Sequence, residues 1–128
     1  MRLLLDTHAL LWWLTDDPSL PASARKLIAR GGNRVVVSAA SAWEIATKVR
    51  LGKLAMAAEF AEDFDRVLVQ EGFEGLAISV DHGVRAGLLP GPHKDPFDRM
   101  LIAQSQAEGV PILSNDAALD GYGVRRVW

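Results

Sequence analysis

Hydrophobic positions along the chain fall into two kinds of run. Short, nearly unbroken apolar stretches recur as "RLLLD" (2–6), "RVVVS" (34–38), "LAISV" (76–80) and "PILSN" (111–115). Rich in leucine and β-branched residues and lacking polar alternation, they read as strands of a parallel sheet buried on both faces. The closing "GVRRVW" predicts a weaker fifth strand, placed at an edge by its adjacent arginines. Between these runs the apolar period becomes that of a helix. Leu20, Ala24, Leu27 and Ile28 share one helical face, as do Phe60, Phe64, Val67 and Leu68. "SAASAWEIATKVRLG" (38–52) carries the stripe Ala42, Ile45, Ala46 and Val49 and stops at Gly52. "DPFDRMLIAQSQAEG" (95–109) opens with Asp95 as N-cap and proline at the first helical position, and ends at Gly109. "HALLWWL" is apolar all round, which buries it or places it in an interface, and "LLPGPHKDP" (88–96) reads as a surface loop. This alternation predicts one α/β domain over residues 1–128, with a mostly parallel sheet of four or five strands.

Composition narrows the function classes. With 49% hydrophobic and 23% charged residues, the chain reads as soluble and globular. No apolar run approaches the ~20 residues of a membrane span, and the start lacks the pattern of a secretory leader. No membrane partner and a cytoplasmic location are therefore expected. The absence of cysteine excludes disulfides, thiolate catalysis and cysteine metal sites. A formal net charge of −2 neither demands nor forbids a nucleic-acid partner, since phosphate binding depends on local charge density. Three basic clusters are candidates: Lys48 with Arg50 and Lys53, Lys94 with Arg99, and Arg125 with Arg126. In each case ordinary solvated surface is the more natural reading.

The acidic residues carry more. In open parallel sheets ligands bind beyond the carboxyl ends of the strands. Asp6 ends the first predicted strand and Asp116 follows the fourth. Right-handed crossovers start each helix at that same edge, which brings Glu44 near it, and Asp98 joins if its helix begins there too. Each acid has a local alternative. Asp6 and Asp116 are possible helix caps, Glu44 an exposed i,i+4 partner of Lys48, and Asp98 part of a cap with Asp95. Four converging carboxylates repel one another unless a cation sits among them. Mg²⁺ or Mn²⁺ fits an oxygen-rich donor set, and such a site supports metal-assisted phosphodiester hydrolysis. His8, His82 and His93 are scattered without zinc-ligand spacing, and no glycine-rich phosphate loop is present.

"LLLDTHALLW", "SAASAWEIATKVRLGKL", "HKDPFDRMLIAQ" and "PILSNDAAL" occur in that order along nearly the whole chain. In this order and spacing they resemble the PIN-domain ribonucleases, and among them the VapC-type toxins of bacterial and archaeal toxin–antitoxin pairs. The resemblance implies a three-layer α/β/α sandwich and a metal-dependent endoribonuclease. Asp6, Glu44, Asp98 and Asp116 would bind Mg²⁺ or Mn²⁺, with Thr7 and Ser114 as supporting hydroxyls. Threonine is common at the position of Ser114, which keeps the hydroxyl. The resemblance further implies a homodimer, an RNA substrate and a cognate antitoxin that inhibits the toxin. Trp12, Trp13 and Trp43 fit either a partner groove or the core; Lys48, Lys94 and Arg99 are the candidate RNA contacts.

Two rival classes remain at this stage. A phospho-acceptor signalling domain would use Asp81 after the third strand. It also needs an acidic pair after the first strand and a lysine after the fifth, and the sequence offers Asp6-Thr7 and "VRRVW" instead. A non-catalytic binding module that keeps the fold is the other.

Overall fold

A computed structural model describes residues 1–128. Its sheet contains β1 (Arg2–Leu5), β2 (Arg34–Ser38), β3 (Glu74–Leu76), β4 (Ile112–Leu113) and β5 (Arg126–Val127). All neighbours are parallel, in the order β3-β2-β1-β4-β5. The unbroken apolar runs are the three central strands. Leu3, Leu4, Leu5, Val36, Ile112 and Leu113 are wholly buried, each leucine contributing about 1.5–3 kcal/mol.

Alternation along the strands feeds two cores. Leu5, Val35, Val37 and Leu113 pack with residues of α1 (Thr7–Leu14), α2 (Ala22–Ala29) and α3 (Ala39–Arg50). Leu4, Val36 and Ile112 pack with Leu101 and Ile102 of α7 (Pro96–Glu108). Helices thus cover both faces, giving the α/β/α sandwich. The order reverses at β1, which has β2 on one side and β4 on the other, so a crevice opens at the carboxyl ends of β1 and β4.

Three elements depart from the sequence expectation. The third strand is Glu74–Leu76 rather than 76–80, and it is mostly exposed. As an edge strand, β3 lacks the apolar run that marks its central neighbours. Most of "LAISV" instead leads into α6 (Val80–Leu88), a helix the apolar pattern did not announce. Ser79 and His82 cap it reciprocally: the Ser79 hydroxyl accepts from the His82 N–H, and His82 Nδ1 accepts from the Ser79 N–H. The Phe60–Leu68 stripe spans two helices, α4 (Ala58–Glu62) and α5 (Phe64–Glu71), because Asp63 between them caps the second.

Trp12 and Trp13 pack partly buried on the first core, with Trp12 edge-on to Trp128 and Trp13 tilted against Phe73. Trp43 is 63% exposed on α3, edge-on to Phe97 at 5.0 Å. Val80, Val84 and Leu88 form an exposed apolar stripe along α6. No helix is long and apolar enough to cross a membrane.

Candidate metal centre

Asp6 leaves β1 at the crevice and caps α1, its Oδ1 accepting from the Ala9 N–H at 2.7 Å. Asp116 leaves β4 and caps a 3₁₀ turn (Ala117–Tyr122), accepting from the Ala118 N–H at 3.0 Å. Asp95 caps α7 through the N–H groups of Phe97 and Asp98, which directs the first turn of α7, and Asp98 with it, toward the same edge. Glu44 comes from α3, and its Oε2 accepts from the Lys48 ammonium at 2.5 Å. The local alternatives of capping and i,i+4 pairing are therefore realised at Asp6, Asp116 and Glu44, and all four acids still share one edge. Capping engages only one carboxylate oxygen each of Asp6 and Asp116.

Burial divides the four. Asp6 and Glu44 are 6% and 4% exposed, whereas the side chains of Asp98 and Asp116 are 30% and 44% exposed. The apolar stripe of α3 suggested an outward-facing Glu44. In the structure Glu44 and Ile45 are buried while Ala46 is exposed, so the inner face of α3 is rotated from the expected stripe.

Hydroxyls hold the elements together. Thr7 Oγ1 donates to Ser41 Oγ at 3.0 Å, tying the start of α1 to the start of α3 in the interior. Ser114, wholly buried, accepts from the Asp116 N–H at 3.0 Å, and its hydroxyl also serves the Asp6 carboxylate. One serine thus positions two acids. Ser41 escaped the sequence analysis.

So did His93. Its Nε2 lies 3.1 Å from Asp98 Oδ2 and 3.9 Å from Asp116 Oδ2, and it is buried without a hydrogen-bond partner. The loop before α7 puts it there. Gly91 has φ +104°, and a Cβ on it would stand 2.8 Å from the Tyr122 ring, so only glycine lets the loop pass. The Tyr122 hydroxyl accepts from the His93 N–H at 2.8 Å. The Arg99 guanidinium donates to the carbonyls of Ala86, Leu89 and His93. The signal was faint: a histidine five positions before Asp98, after a Pro-Gly-Pro turn, with no ligand spacing along the chain.

The basic candidates separate accordingly. Arg99 anchors a loop, Lys48 is held by Glu44, and Arg126 pairs with Asp120. Lys94, Arg50, Lys53 and Arg125 stand exposed. Asp81, on which the phospho-acceptor alternative rested, is an exposed first-turn residue of α6 paired with Arg85.

Charge at this edge is uncomfortable. Burial pushes the Asp6 carboxyl up from its ordinary value, against the pull of the Ser114 hydroxyl and the Ala9 N–H. Asp98 is pushed up to about 6, first by burial, then by the neighbouring Asp95; Glu44 and Asp6 add to this and His93 opposes it. A cation at the edge would relieve both. The residues present fit one. One ligand atom each from His93, Asp98 and Asp116 lie within 4.8 Å of one another, and an ion bound at about 2.1 Å has ligands roughly 3.0–4.2 Å apart.

A search of the curated proteins finds no match to the chain. The family model for the PIN domain matches residues 3–124. Among solved structures, VapBC2 from Rickettsia felis, bound to a DNA fragment from its promoter, is similar with a TM-score of 0.74 and 16% identity, over 99% of this chain and 98% of that one. A toxin–antitoxin complex from Klebsiella pneumoniae gives 0.61 and 17%, over 88% and 85%. VapBC-1 from nontypeable Haemophilus influenzae gives 0.67 and 13%, over 99% and 97%.

Proposed function

The chain belongs to the PIN domain family, and from that premise we propose that it is a metal-dependent endoribonuclease, the toxin of a toxin–antitoxin pair. The observation that carries this reading is the convergence of Asp6, Glu44, Asp98 and Asp116 on the carboxyl edge of the sheet, two of them almost wholly buried. Similarity to structures of a toxin–antitoxin complex and of VapBC proteins supports the toxin reading.

Asp6, Asp98 and Asp116 would hold Mg²⁺ or Mn²⁺, with Glu44 beside them. The bound ion would supply positive charge to the scissile phosphate and make water a competent nucleophile near neutral pH. The chain's own residues do the rest. Ser114 fixes the spacing of Asp6 and Asp116, and the Thr7–Ser41 hydrogen bond fixes α1 against α3. Lys48 donates to one oxygen of Glu44, which would leave the other for the site. Exposed Lys94, next to His93 in the chain, would meet RNA phosphate; Lys48 and Arg99 are engaged within the protein.

A cognate antitoxin is the expected inhibitor. The exposed Trp43, adjacent in sequence to Glu44, offers an apolar contact at the mouth of the site. The reading also includes a homodimer, consistent with the apolar stripe Val80–Val84–Leu88 on the outer face of α6.

The test is cleavage of RNA by the purified protein. Cleavage should need Mg²⁺ or Mn²⁺, stop with chelator, and be lost in Asp98→Asn. Chelator-insensitive cleavage, or full activity in Asp98→Asn, would sink the assignment; RNA binding without cleavage by the parent protein would favour a non-catalytic module.

A further inference from the structure

The metal reading leaves one side chain without a task. His93 sits among carboxylates, yet makes no hydrogen bond through the nitrogen that faces them. A buried polar atom normally has a partner, and one that lacks it calls for an explanation, of which ligation of an ion is one. We infer that His93 is a nitrogen ligand of the ion held by Asp98 and Asp116, giving this site a preference for Mn²⁺ over Mg²⁺. The inference rests on the metal reading above.

The distances suit ligation. Nε2 stands 3.1 Å from Asp98 Oδ2, the separation of adjacent ligands around one octahedral ion, and 3.9 Å from Asp116 Oδ2, between the adjacent and opposite separations. The ring is aimed by main-chain bonds on both sides: the His93 N–H donates to Tyr122 and its carbonyl accepts from Arg99. Gly91 lets the loop lie against Tyr122 in that position. Three residues outside the acidic cluster thus hold one imidazole over it.

Chemistry then sets the preference. Mg²⁺ is a hard ion satisfied by carboxylate and water, whereas imidazole is a better ligand for ions later in the first transition row. A carboxylate-only site has little basis for favouring Mn²⁺; adding one nitrogen supplies it. His8, exposed against Trp12, lies near Asp6 but does not converge with Asp98 and Asp116 as His93 does, and His82 is bonded within α6 and faces Glu108.

His93→Gln is a clean probe, because both anchors of the loop grip the main chain and survive the substitution. Binding of Mn²⁺ and of Mg²⁺ alone is measured by calorimetry on the parent, His93→Gln and Asp98→Asn. The parent should favour Mn²⁺; His93→Gln should weaken Mn²⁺ about tenfold or more while changing Mg²⁺ by less than about threefold. Pulsed EPR of the Mn²⁺ complex should show coupling to a directly bound ¹⁴N that changes to ¹⁵N in histidine-labelled protein and disappears in His93→Gln. If both ions bind the parent and are lost in Asp98→Asn, yet no nitrogen coupling appears and His93→Gln keeps the parent's Mn²⁺ affinity, the inference alone is overturned. If neither ion binds the parent, the metal reading and this inference fall together.

Discussion

The two ends of the sheet treat charge in opposite ways. At the amino end, Arg2 faces Glu74 at 3.5 Å with both side chains substantially exposed, and the terminal ammonium donates to Asn33 and the Gly32 carbonyl. The acceptors of the ammonium are neutral and Arg34 makes no ion pair, but these charges stay largely in contact with water. At the carboxyl end four acids meet Lys48 and His93, and two of the four are almost wholly buried. Charged groups enter the interior at a cost unless paired, so burying two of four clustered acids, while the charges at the other end stay near water, is a departure from what stability alone selects. The function proposed above puts a ligand at the carboxyl end and leaves the amino end to solvent.

The sharpest way to break this contrast is to separate the two duties of Asp6. Asn keeps an oxygen that can accept from the Ala9 N–H, so Asp6→Asn should retain the cap and lose the charge. RNA cleavage should fall at least about a thousandfold, roughly 4 kcal/mol of barrier, while the chelator-treated protein melts no lower than the parent. Asp6→Ala removes the cap as well and should cost about 0.5–2 kcal/mol of stability by denaturant titration. If Asp6→Asn keeps both the parent's stability and its cleavage while Asp6→Ala loses stability, Asp6 is a cap and nothing more.

A second test reads the charge imbalance directly. Asp98 has a folded-state pKa of about 6, above the ~3.9 of an unfolded chain. A raised acid contributes stability that is fully present below the unfolded value and lost as pH rises through the folded one. In chelator, the melting temperature of Asp98→Asn minus that of the parent should therefore be near zero at pH 4 and positive above pH 6. Metal should reverse the sign at neutral pH, because it binds the parent and not the variant. A difference that stays flat with pH would show that the folded protein does not strain this carboxylate.

The same contrast explains what could be read from sequence. Central strands announce themselves: Leu3 to Leu5 and Val35 to Val37 have apolar neighbours above and below, and no other reading fits such runs. β3 has a neighbour on one side only, so Glu74 and Gly75 can be polar and small, and the expected strand slipped toward the more apolar 76–80. α6 was missed because Val80, the first of its i, i+4, i+8 series Val80–Val84–Leu88, falls inside the strand expected at 76–80, while Gly83 and Gly87 weaken helix propensity and its start is a Ser79–His82 cap in place of the usual acidic partner. The acids were legible because topology fixes the carboxyl end of a strand once the strand is known. His93 was not, since its position depends on Tyr122, 29 residues away, and on an arginine that looks from sequence like free surface charge.

The smallest expected effect lies at the amino end and completes the comparison. Arg2→Ala removes the pairing with Glu74, an exposed contact at 3.5 Å, for which about 0–1 kcal/mol is the usual worth. Part of even that loss belongs to the aliphatic stem of Arg2, so Glu74→Gln is the cleaner variant; it should move stability by less than about 0.5 kcal/mol. It should also leave RNA cleavage and its metal dependence unchanged, because no charge at this end reaches the carboxyl edge. Neutralising one acid at each end of the same sheet thus asks a single question. Equal effects of Glu74→Gln and Asp98→Asn on cleavage would mean that charge acts through the whole sheet, and that the carboxyl edge is not a site in its own right.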